Sequence, residues 1–78
     1  MSAQFILAST SPEAVVAALG EAGPLCEIFP MGEARIGLSV PGRILDQVGM
    51  DEILKRIRRF SHYDLYAGRW SGQPPASA

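Results

Sequence analysis

The chain's one histidine stands in a short polar and aromatic run, His62-Tyr63-Asp64-Leu65-Tyr66. Residues two apart share a face of an extended strand, so His62, Asp64 and Tyr66 are expected to project together. An imidazole beside a carboxylate is the pairing that general acid–base catalysis uses, the acid orienting the ring. No nucleophile, second acid or set of metal ligands accompanies the trio in sequence. A histidine at a helix-to-strand junction also commonly caps the last helical turn or meets solvent.

The second candidate is basic. In Met50-Asp-Glu-Ile-Leu-Lys-Arg-Ile-Arg-Arg-Phe60, an apolar stripe of Ile53, Leu54, Ile57 and Phe60 has Lys55 and Arg59 nearly opposite it, with Arg56 and Arg58 on its flanks. Four cations so close together suit phosphates or an acidic protein surface. They equally suit a solvated outer face, with Glu52 and Arg56 paired at i,i+4 and cations at the negative helix end. Nucleic acid as a partner of Lys55, Arg56, Arg58 and Arg59 is disfavoured by the formal net charge of −1, since phosphate-driven affinity scales with the cations engaged. Recognition of RNA on a sheet would need aromatics on the central strands, and Ala34–Val40 has none.

The remaining chemistry is sparse. Cys26 lies beside Glu27 with no cation near it in sequence to stabilise a thiolate, and reads as a small buried hydrophobe. One cysteine and one histidine cannot fill a zinc site, and no glycine run cradles phosphates after a strand, so no metal and no cofactor are expected. The segment Ala8-Ser9-Thr10-Ser11-Pro12 offers ordinary helix capping or, through free amides, a small-anion site. A lone cysteine excludes an internal disulfide, and no apolar run approaches the ~20 residues a bilayer requires; the expectation is a cytoplasmic protein that does not engage a membrane. Charge is unevenly placed. Residues 1–42 carry Arg35 against Glu13, Glu21, Glu27 and Glu33; residues 43–78 carry six cations against Asp46, Asp51, Glu52 and Asp64.

The elements that must position these groups follow from periodicity. Alternation at Gln4–Thr10 predicts a strand. Ser11, Pro12 and Glu13 then open a helix whose stripe is Val15, Val16, Leu19 and Ala22, closed at Gly23-Pro24. Strands are predicted at Leu25–Phe29 and Ala34–Val40, a helical turn at Ile44–Val48, a helix from about Asp51 to Ser61, and a last strand over Tyr63–Trp70. The order strand, helix, strand, strand, helix, strand resembles that of ferredoxin-like folds. It implies an α+β sandwich, βαββαβ, with a four-stranded antiparallel sheet and two helices on one face. Residues 1–70 are read as one small domain, and 71–78 as a disordered tail with nothing to bury.

Such a sheet leaves one face uncovered. Ile6 and Leu7, Ile28 and Phe29, and Leu65 and Tyr66 occupy both parities of their strands, so that face is apolar in either register, above a low floor of Gly37 and Ser39. At 78 residues with 47% hydrophobic and only 19% charged side chains, the chain has little core volume in which to hide this surface. The resulting expectation is a non-enzymatic interaction module, a small regulator, adaptor or inhibitor. It would act through a sheet-face dimer or a larger protein partner, with Lys55, Arg56, Arg58, Arg59, Tyr66 and Trp70 as contact residues. The alternatives are a small dimeric enzyme around His62, Asp64 and Tyr66, and a nucleic-acid-associated factor using the basic helix.

Overall fold

The computed structural model describes residues 2–9 and 11–71. The tail read as disordered therefore lies, after Ser71, outside the described residues, as does Thr10 of the capping loop.

Strand β1, Ala3–Leu7, turns its odd residues inward: Ala3, Phe5 and Leu7 are buried, while Gln4 is exposed and Ile6 half-buried. Helix α1, Pro12–Leu19, starts as its sequence dictates, with the Ser11 hydroxyl accepting from the Ala14 amide at 3.2 Å and proline in the first turn. It ends earlier than Gly23-Pro24. Gly20 adopts φ +66°, and the chain continues as a 3-10 helix, Gly20–Leu25. Gly23 then lies so close beneath α1 that a Cβ there would sit 2.6 Å from the Val16 carbonyl oxygen.

Strand β2 is Glu27–Pro30 and β3 is Ile36–Val40. The latter begins two residues later than alternation predicts because Ala34 takes the left-handed conformation, φ +55°, within the connecting turn. The helical turn expected at Ile44–Val48 is a full short helix α2, Gly42–Val48, and Gly49 (φ +94°) separates it from α3, Met50–Ile57.

The last strand departs most from expectation. The run Tyr63–Trp70 is not one strand but a hairpin of β4, His62–Asp64, and β5, Arg69–Ser71. Asp64 makes the turn: its Oδ1 accepts from the Tyr66 amide at 2.8 Å and the Ala67 amide at 3.1 Å, and Gly68 (φ +73°) donates to the Asp64 carbonyl at 2.7 Å.

The fold is thus α+β, with one antiparallel sheet of five strands ordered β2-β3-β1-β4-β5. The expected four strands become five because the hairpin adds an edge, and the expected two helices become three because α2 forms. Alternate sheet residues Phe5, Leu7, Ile36, Leu38 and Val40 meet Val15, Leu19, Ile44, Ile53 and Ile57 of the helices in a single core. Among the described residues, the other sheet face carries no helix.

Candidate interaction surface and groove

The strand registers place one row of residues across the uncovered face. Phe29 pairs with Gly37, Gly37 with Ile6, Ile6 with Tyr63, and Tyr63 with Trp70, so every strand contributes one member. Gly37 is essential to this row. A Cβ there would fall onto the Phe29 ring and 3.0 Å from the Met31 sulfur, so glycine lets both side chains lie flat across the sheet. At the opposite edge Tyr63 and Trp70 meet edge to face, 5.5 Å between centroids, and the Arg35 guanidinium covers Trp70 at 5.1 Å. Gln4, Ile6, Glu27, Phe29, Met31 and Leu65 enclose a shallow hollow of ≈ 280 Å³ above Gly37.

This surface stays exposed. Phe29 is 46% accessible, Met31 48%, Leu65 48% and Trp70 45%. Together they present roughly 350–400 Å² of largely apolar area, since a large apolar or aromatic side chain offers about 150–250 Å² in all. Patches of that size on a small protein are often functional.

The helix-side face carries the second feature. β4 and β5 extend the sheet beyond the helical layer, leaving an open groove of ≈ 500 Å³ beside α3. Its wall is one face of α3, Asp51, Leu54, Lys55 and Arg58, at i, i+3, i+4 and i+7. Its floor is His62, Asp64, Arg69 and Ser71, paired across the hairpin as His62 with Ser71 and Asp64 with Arg69.

The candidate residues distribute as follows. His62 and Asp64 do line this groove together, but no hydrogen bond joins them among the described residues. The Asp64 Oδ1 serves its turn, and His62 is only 3% exposed, edge-on to Phe5 at 5.9 Å with Nδ1 3.1 Å from the Phe60 carbonyl. A carbonyl only accepts, so Nδ1 carries the proton in the neutral ring and Nε2 keeps its lone pair. Tyr66 stands apart in the turn, 96% exposed.

The four cations of α3 and its C-terminal turn do not form one patch. Lys55 and Arg58 face the groove, and the Arg59 guanidinium lies 5.8 Å from the Phe60 ring. Arg56 turns the other way and ties α3 to α1. It donates to the Leu19 carbonyl at 2.8 Å, to Glu52 at 3.0 Å and to Glu21 at 3.4 Å. The Glu52 bond foremost raises the Arg56 pKa. Glu21's own backbone, and then Arg56, hold the Glu21 carboxyl below its ordinary range. Burial pushes the half-buried Cys26 thiol up, in keeping with a packing role. Among the described residues no cluster of three metal-ligating side chains occurs, and no helix is long and apolar enough to cross a membrane.

Sequence reasoning named Trp70 as a contact residue and Phe29 and Gly37 as candidates for the uncovered face, but not Tyr63 and Arg35, which join that surface only through strand order. The signal for the groove was present in Asp64 and Gly68, the turn residues that divide the last strand. No protein-family model matches the chain, and no curated protein and no solved structure matches it.

Proposed function

We propose that this chain is a non-enzymatic interaction module that works as a homodimer, the uncovered sheet face of one copy packing on that of another. The order β2-β3-β1-β4 of the first four strands supports a ferredoxin-like sandwich to which a fifth, edge strand has been added. The observation that carries the functional reading is the exposed row Phe29-Gly37-Ile6-Tyr63-Trp70.

Two features favour a second copy as the occupant. Glu27 stands on the β2 edge of this face, while the Arg35 guanidinium sits over Trp70 at the β5 edge. A two-fold axis lying across that diagonal brings each Glu27 onto the Arg35 of the other copy, a self-complementary arrangement. The area suits a weak pair: the exposed side chains of two copies amount to roughly 700–800 Å², in the size range of transient rather than stable complexes. Such a contact should form weakly and reversibly, with a Kd on the order of 1–100 μM or weaker.

Sedimentation equilibrium over a range of protein concentrations tests this reading. A reversible monomer–dimer equilibrium in the micromolar range is the expected result. A chain that stays monomeric at about 1 mM, where even weak specific pairs form, refutes it.

A further inference from the structure

The groove beside α3 has two unlike ends. Only four residues separate the end of α3 at Ile57 from the start of β4 at His62, so Arg58 is held at the His62–Ser71 end. Asp51, seven residues earlier and about 10 Å along the helix axis, stands at the Asp64–Arg69 end. One end therefore gathers Lys55, Arg58, His62 and Ser71, with no carboxylate among the described residues. The other gathers Asp51 and Asp64 with Arg69.

Among the described residues, Lys55 and Arg58 enter no ion pair. Both ion pairs found among the described residues belong to Arg56. His62 also lines the groove, with its Nδ1 held by the Phe60 carbonyl. Two positively charged side chains and Ser71 thus line one stretch of an open groove.

From this we infer a binding site for a hydroxylated phosphate monoester, a sugar phosphate in chemical class. The tetrahedral phosphoryl group presents three oxygens. One takes the planar fork of Arg58, one the Lys55 ammonium and one the Ser71 hydroxyl. A carboxylate can accept from the same donors but carries a single charge, against up to two on a phosphate monoester, so the two cations favour the phosphoryl group. A polyanion is excluded by the far end, where Asp51 and Asp64 would face the next phosphate along a nucleic-acid backbone. The same two carboxylates are suited to hydroxyls of a neutral polyol, with Oδ2 of Asp64 free of the turn amides that occupy Oδ1. Leu54 and Ala67 supply the apolar surface against which a sugar ring lies.

The test is a titration of the full chain, labelled with 15N, followed by NMR. Glucose 6-phosphate, inorganic phosphate, free glucose, sodium chloride and a short single-stranded oligonucleotide serve as probes. Glucose 6-phosphate is expected to saturate with a Kd of about 1 mM or lower. It should move the His62 imidazole and Ser71 amide signals, and bind more tightly than inorganic phosphate. In the Lys55→Ala/Arg58→Ala variant, whose altered side chains are surface ones, the affinity falls at least about tenfold while the remaining spectrum stays that of the folded chain. An unsaturable response, equal shifts with sodium chloride, undiminished affinity in the double variant, or tighter binding of the oligonucleotide overturns the assignment.

Discussion

Trp70→Ala bears most directly on the uncovered sheet face. Trp70 is 45% accessible, and about half of its surface is spent inside one copy, against Tyr63 and beneath Arg35. The exposed part, on the order of 110 Å² of a ~250 Å² side chain, is what a second copy would cover. An isologous contact loses that area twice. At about 25 cal/mol per Å² the upper estimate is ~5 kcal/mol. Incomplete burial at the sheet edge reduces this to about 3 kcal/mol, a roughly hundredfold weaker dimer. Within the monomer, the lost edge-to-face pair and cation–π contact amount to about 1–2 kcal/mol. A domain of this size then melts about 5–15 °C lower but remains folded. Sedimentation equilibrium supplies the dissociation constant and urea denaturation the monomer stability, with Tyr66→Ala as the control, since Tyr66 is equally aromatic but lies off the row. If Trp70→Ala leaves the dimer as tight as before, or Tyr66→Ala loosens it as much, the face has been misidentified and the reasoning fails.

Three further outcomes concern Arg56, Glu21 and Cys26. Arg56→Ala removes three bonds, to Leu19 at the end of α1, to Glu21 in the 3-10 helix that follows it and to Glu52 within α3, and among the cations of residues 55–59 it should lower the melting temperature most; equal losses for Lys55→Ala would refute the clasp. The pH dependence has a definite sign. Because the Glu21 pKa is lowered in the folded chain, its contribution is present above the ordinary carboxylate range and disappears as pH falls through the folded value. Acid titration of stability should therefore be shallower in Arg56→Ala than in the parent. Cys26, whose thiol is pushed up by burial, should alkylate slowly at neutral pH and rapidly once urea unfolds the chain; fast labelling of the native protein would contradict its packed environment.

Much of the architecture was legible because local rules and tertiary packing agree. Ser11 and Pro12 cap a helix that the core also demands, and Ile36, Leu38 and Val40 alternate on a strand that is half covered. What was missed shares one cause: short-range signals hidden among residues of opposite preference. Leu65, Tyr66 and Trp70 favour a strand, yet two amides bound to the Asp64 carboxylate and a left-handed Gly68 turn the chain between them. Ala34 breaks its strand early although alanine carries no sign of a left-handed turn. The candidate site was legible only in pieces. Helical spacing predicted the Glu52–Arg56 pair, which is present at 3.0 Å, but the reach of Arg56 to Leu19, 37 positions away, depends on helix packing that spacing alone does not contain.

The two borders of the sheet have a consequence for assembly. β2 ends in Pro30, which has no amide hydrogen to offer a neighbouring ladder, and β5 is three residues long. Neither rim is a good template for lateral strand addition, so runaway fibre-like stacking is discouraged at both sides. Association directed through the flat of the sheet closes on itself at two copies, and a protein rich in sticky side chains can thereby remain finite.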